Sequence, residues 1–180
     1  MGGVRRYAIA GFALALLSAG CGGNGGEVSS TAPAAITVTS QAFAEGAPIP
    51  PVYSCRGRNV SPPLAWSGVP AEASALALVV DDPDAPRGTF THWVVVDFPP
   101  TTASLGESEV PPGGVQASNS AGNPRYMGPC PPSGTHHYRF TVYALSDRLG
   151  LADGAGLDEA QRAIADHAIA QGTLTGTFAA

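Results

Sequence analysis

Apolar and polar residues alternate along much of the second half of this chain, and the period is that of a strand. Tyr138, Phe140, Val142 and Ala144 fall on one side, with Arg139, Thr141 and Tyr143 on the other. Ile36-Thr37-Val38-Thr39 alternates in the same way over a shorter length. Leu76 to Val80 and His92 to Phe98 are instead nearly continuous apolar runs, with no helical stripe, which predicts buried strands. Leu174 to Phe178 reads as a last strand. One helix is predicted, with Asp158 as its cap, Glu159 at its positive end and Gly172 closing it. Leu157, Ala160, Ile164 and Ala168 give it one apolar face. Frequent Pro and Gly punctuation and the scarcity of helical patterns predict a mainly β chain, a sandwich with a small C-terminal helical addition.

The N-terminus follows a different rule. Arg5 and Arg6 precede an apolar run, Tyr7 to Leu17, that is shorter than the roughly 20 residues a membrane helix needs. Leu17-Ser18-Ala19-Gly20-Cys21 then resembles a bacterial lipobox, with Ser18 where an aliphatic residue is usual. This predicts a signal peptide over 1–20, a lipid on Cys21, and an extracytoplasmic protein held to the cell-envelope membrane by that anchor. Residues 21–35, rich in Gly, Ser, Ala, Thr and Pro, are expected to be a flexible tether. Residues 36–180 suit one domain with a core of its own.

Charge and cysteine count narrow the chemistry. A net charge of -5 disfavours nucleic acid as a partner. All basic side chains are Arg, so Schiff-base chemistry by lysine is excluded. Of three cysteines, Cys21 is assigned to lipid, leaving Cys55 and Cys130 as a pair. An oxidising compartment favours a disulfide between them.

Two segments concentrate the polar chemistry. The first is Asp81-Asp82-Pro83-Asp84-Ala85-Pro86 with His92-Trp93; the second runs from Tyr126-Met127-Gly128-Pro129-Cys130 to His136-His137-Tyr138. Both border predicted strands, which places them on loops at strand ends. Were the loops to meet, Asp82, His92, His136 and Tyr138 would converge. A carboxylate beside an imidazole favours its charged form. Two histidines, a phenol and the amides of Gly128 or Gly134 would then offer donors to an oxyanion such as phosphate. The same Asp and His residues admit a metal site, and hence a metal-dependent hydrolase. His-Glu-x-x-His and Gly-x-Ser-x-Gly are both absent, and no cofactor motif is read.

These segments, together with Ser61-Pro62-Pro63-Leu64-Ala65-Trp66, resemble the signatures of the phosphatidylethanolamine-binding proteins, also called Raf kinase inhibitor-like proteins, in their bacterial YbhB/YbcL-type branch. The resemblance spans nearly the whole domain. It implies a two-sheet antiparallel sandwich and a small cavity for phosphorylated headgroups or similar anions. By motif position, Asp82, His92, His136 and Tyr138 line that cavity, while Pro83, Asp84 and Pro129 shape its rim. It also implies a non-enzymatic protein, with inhibition or regulation of a protease or other envelope protein as the alternative role. A homodimer is compatible with the chain but not required by it. Two departures stand out: His137 occupies the place of a usual Arg, leaving Arg125 or Arg139 to replace its charge. Phe178 is followed only by two alanines.

Overall fold

The computed structural model describes residues 1–2 and 27–180. The expected lipid site, Cys21, and most of the expected signal peptide lie outside the described residues. Among the described residues, eight strands and one α-helix follow in the order β1 (Thr37–Thr39), β2 (Leu64–Ser67), β3 (Ala75–Asp82), β4 (Phe90–Phe98), β5 (Ser104–Leu105), β6 (Val115–Ala117), β7 (Thr135–Leu145), α1 (Leu157–His167) and β8 (Ala168–Ala179), with a 3-10 turn, Pro51–Tyr53, between β1 and β2. They form two antiparallel sheets, β1-β2-β5 and β6-β4-β3-β7-β8. This is the mainly β, two-sheet architecture that the alternation predicts.

The alternation on β3 and β7 sorts side chains between two cores. Leu76, Leu78, Val80, Tyr138, Phe140 and Val142 point toward the small sheet, where Val38, Leu64 and Trp66 meet them. Ala75, Ala77, Val79, Tyr143 and Leu145 point the other way, onto Ala160 and Ile164 of α1. The continuous apolar runs of β3 and β4 follow from this burial on both faces. Each fully buried aliphatic or aromatic side chain contributes roughly 1.5–3 kcal/mol by leaving water.

The helix departs from expectation at both ends. Gly156, not Asp158, occupies the N-cap and supplies no side-chain bond. Asp158 and Glu159 lie within the first turn, where their charge favours the helix dipole. The C-terminus falls at His167, and Ala168 already belongs to β8. Gly172 is therefore a strand residue. A Cβ there would collide with the main chain of Ile36, which crosses β8 at that point.

The end of the expected tether is docked. Gln171 accepts from the amides of Ala35 (3.0 Å) and Ile36 (3.1 Å) and donates to the Pro33 carbonyl (2.9 Å). Residues 46–49 continue along the same edge through Thr175 and Thr177. The outer edge of β8 is thereby covered, which removes an exposed template for strand pairing. Val28 is buried in the helix-side core, and Glu27 pairs with Arg139. Main-chain groups that can satisfy an open edge outweigh the flexibility that composition alone suggests. Among the described residues, no helix is long and apolar enough to cross a membrane.

Candidate functional site

At one end of the large sheet the inner core gives way to a cavity of ≈ 260 Å³. Asp82, His92, His136 and Tyr138 all line it, together with Ala85, Pro86, Arg87, Phe90, Met127, Cys130, Pro131 and Pro132. The four predicted side chains come from strands, not loops: Asp82 ends β3, His92 lies in β4, and His136 and Tyr138 lie in β7. The loops supply walls. The placement follows the sheet register, because Asp82 faces Phe90 on β4 while His136 and Tyr138 share one face of β7.

His92 reaches the cavity through an irregularity. Val80 pairs with Trp93 and Asp81 pairs with Thr91, so His92 has no partner on β3. One extra residue on β4 is a β-bulge, which re-aims side chains. Thr91 is consequently turned to the helix side, where its hydroxyl accepts from Gln161 (3.1 Å). His92 and Trp93, consecutive in sequence, both serve the inner side: His92 packs edge-on against Tyr138 at 5.3 Å, and Trp93 joins the inner core.

Fixed hydrogen bonds set the polar groups. The His136 Nδ1–H donates to Asp82 Oδ2 at 2.7 Å, and both side chains are almost fully buried. Asp82 Oδ1 accepts from the Asp84 amide at 2.8 Å. The His92 Nδ1–H donates to the Met127 carbonyl at 2.7 Å, while the Met127 amide donates back to the His92 carbonyl at 3.1 Å. Burial holds the His92 imidazole below its usual range, against the opposing pull of that carbonyl and of Asp82. Tyr138 is 0% exposed, and its hydroxyl has no hydrogen-bond partner. Burial, and then the Asp82 charge, push its ionisation upward, so the hydroxyl keeps its proton.

The wall opposite is pinned by the segment before β2. Cys55 and Cys130 are bonded, with Cα atoms 5.5 Å apart across 75 residues of sequence. The Cys55 amide donates to the Pro129 carbonyl (3.0 Å), and the Tyr126 hydroxyl donates to the Tyr53 carbonyl (3.0 Å). The Gly128 amide donates to Asn59 Oδ1 at 2.7 Å, so it is not offered to a ligand as the sequence suggested. Glycine is required there because a Cβ would strike Tyr53 and Ser54.

The remaining rim residues lie back from the cavity. Pro83 and Asp84 are exposed, and Pro129 and Gly128 are buried behind the wall. Asp84 instead accepts from the amide (2.8 Å) and Nδ1–H (2.7 Å) of His137. Those bonds hold the Asp84 carboxyl below the usual carboxylate range. His137 thus serves the turn. Arg139 is bound to Asp81 on the opposite face, and Arg125 borders a separate depression. The guanidinium residue on the cavity is Arg87, which sequence reasoning missed. Its position directly after the Asp82–Pro86 motif was the available signal. Phe178, near the chain end, carries Arg56 over its ring at 5.4 Å. Among the described residues, no three His, Cys, Asp or Glu side chains are grouped to hold a metal ion.

Comparison with known proteins places this geometry. The model of the phosphatidylethanolamine-binding protein family matches residues 39–179. A Mycobacterium tuberculosis protein that bears the name lipoprotein LppC is 47% identical over 190 residues, covering 95% of this chain and 94% of that protein. A UPF0098 protein of Methanothermobacter thermautotrophicus is 43% identical over 148 residues, covering 79% of this chain and 98% of its own. Among solved structures, a Chlamydia trachomatis homolog, CT736, superposes with TM-score 0.76 at 41% identity, covering 81% of this chain and 98% of its own. Escherichia coli YbcL superposes with TM-score 0.77 at 31% identity, covering 82% and 99%. A match across the whole sandwich, at these identities, establishes that this chain belongs to the phosphatidylethanolamine-binding protein family.

Proposed function

We propose that this protein is a binding module whose cavity takes a small anion, either phosphate or the phosphorylated headgroup of a larger molecule. The observation that carries this reading is the Tyr138 hydroxyl, buried without a partner among groups that line the cavity. An unsatisfied buried hydroxyl costs about 1–3 kcal/mol, a cost that a bound ligand would relieve. On binding, Tyr138 donates its hydroxyl proton, while Asp82 holds the His136 ring in place beside the ligand. Arg87 adds positive charge at the rim. The family's name, phosphatidylethanolamine-binding protein, supports a ligand with a phosphorylated headgroup. This reading assigns no turnover to the site.

The name of the M. tuberculosis relative supports reading residues 1–20 as a signal peptide and Cys21 as the lipidated residue of an extracytoplasmic protein. Palmitate labelling of intact cells that is lost in Cys21→Ala is the expected result; labelling that survives rejects the anchor.

The test of the pocket is thermal stability of the detergent-solubilised full chain against phosphate, phosphoethanolamine and chloride at equal ionic strength. At 100 times the dissociation constant, a ligand stabilises the fold by about 2.7 kcal/mol. A shift in wild type that is absent in His136→Ala supports the pocket. No shift with any anion rejects it and favours regulation of a protein partner.

A further inference from the structure

A second depression, of ≈ 420 Å³, adjoins the first cavity, and Met127 and Cys130 line both. Cys55, Asn59 and Arg125 also line it. Both partners of the Cys55–Cys130 bond therefore border this depression, and both residues are exposed. A disulfide sealed in a core is out of reach of other thiols. One that lines an exposed depression can be approached by a thiolate while the protein is folded.

The local charge suits such an exchange. Segments 53–60 and 123–130 contain Arg56, Arg58 and Arg125 and no Asp or Glu. Arg58 pairs with Glu107, and Arg56 lies over the Phe178 ring. Arg125 is the guanidinium that shares the depression with both cysteines. A neighbouring cation favours a thiolate over a thiol, and a stabilised thiolate leaves faster.

The two segments are also held together without the sulfurs. The Cys55 amide bonds to the Pro129 carbonyl, the Tyr126 hydroxyl to the Tyr53 carbonyl and the Gly128 amide to Asn59. After cleavage the two cysteines remain opposed. We propose that the Cys55–Cys130 bond is a thiol–disulfide exchange site whose reaction partner is a dithiol, with Arg125 stabilising the departing thiolate. One thiolate of the partner attacks the Cys55 sulfur. A mixed disulfide forms, the Cys55–Cys130 bond breaks, and its electron pair leaves on Cys130. The partner's second thiolate then attacks its own sulfur in the mixed disulfide, and Cys55 departs as a thiolate. The partner is oxidised to a disulfide, the protein is reduced to a dithiol, and the two protons given up by the partner pass to Cys55 and Cys130. A monothiol stops at the mixed disulfide, from which the opposed Cys130 thiolate expels it. This exchange needs no ligand in the neighbouring cavity.

The experiment incubates the full chain in detergent with dithiothreitol or with glutathione at equal thiol concentration. Free thiols at Cys55 and Cys130 are followed by maleimide labelling and peptide mass. Dithiothreitol is expected to reduce the folded protein at a rate that changes by less than about twofold in urea below the unfolding transition. Glutathione should leave at least about tenfold less of the pair reduced. Arg125→Gln should slow reduction by about threefold or more, and Arg125→Lys should restore it.

Reduction that waits for urea unfolding, or whose rate climbs in step with it, overturns the proposal: the bond is then a closed structural one. Glutathione that reduces the pair as fully as dithiothreitol overturns the dithiol partner, because the thiols are then not held opposed. An Arg125→Gln rate equal to wild type, or an Arg125→Lys rate as slow as Arg125→Gln, overturns the role of the guanidinium.

Discussion

Asp81 and Asp82 are neighbours in sequence, yet each holds a basic side chain on a different face of the same sheet. Asp81 meets Arg139 on the helix side, through two hydrogen bonds of 2.7 and 2.8 Å, and Glu27 closes on the same guanidinium. Asp82 meets His136 on the inner side through one bond of 2.7 Å. Arginine spends its donors within the protein and stays charged, its ionisation raised further by Asp81. Histidine spends one nitrogen and keeps the other. The outer pair therefore joins β3, β7 and the N-terminal segment, while the inner pair leaves a hydrogen-bonding position open. What separates a fastening from a site here is whether a side-chain nitrogen is left facing the cavity once the carboxylate is satisfied.

Four experiments press on this contrast. The largest effect belongs to the inner wall: replacing both Cys55 and Cys130 by Ser should cost about 4 kcal/mol in urea unfolding, since a long loop is no longer closed in the unfolded chain. Phosphate affinity should fall in the same variant, because Cys130 lines the cavity. If stability falls and affinity does not, the wall holds its shape without the bond.

Next is the outer pair. Arg139→Ala strands the buried Asp81 carboxylate and should cost about 2–3 kcal/mol, at the low end for a broken buried pair because Arg139 is partly exposed. Phosphate affinity should be unchanged. A large loss of affinity would show that the two faces are coupled.

Tyr138→Phe should do the reverse. Removing a hydroxyl buried without a partner should leave the unliganded protein at least as stable as wild type, with a gain of up to about 1–3 kcal/mol, and phosphate affinity should drop about tenfold. A marked loss of stability without ligand would mean that the hydroxyl serves the fold.

The smallest effect is a pH slope. His92 stays neutral in the folded protein to lower pH than in the unfolded chain. As pH falls below the ordinary imidazole value of 6.5, the unfolded chain takes up a proton that the folded one refuses, and stability declines. Denaturant unfolding of His92→Gln between pH 7 and about pH 5 should show a shallower decline than wild type. Equal slopes would assign the acid sensitivity to other groups.

The strands were legible where burial imposes a pattern. β7 alternates because it separates two cores, and β3 is uniformly apolar from Ala75 to Val80 because both its faces are covered there. The small sheet was mostly illegible, since its strands of three, four and two residues are too short to show a period. Leu64 and Trp66 were visible only through the family signature. The helix end was misplaced because Gly172 was read as a cap, whereas tertiary crowding by Ile36 is what demands glycine. In the candidate site, the convergence of Asp82, His92, His136 and Tyr138 was readable from the motifs. Arg87 was passed over although it directly follows the Asp82–Pro86 motif, because the course of its loop, which brings it to the cavity, depends on tertiary packing.

The bulge at His92 makes the cavity a matter of residue count. Deleting one residue between Phe90 and Trp93 would leave β4 with enough apolar residues to pair with β3 and β6. It would also remove the offset that lets two consecutive residues serve one side. The sandwich would survive with its composition almost unchanged, but no imidazole from β4 would stand beside Tyr138. In a lineage of such chains, the length of this strand would therefore report on the pocket more faithfully than its percentage identity.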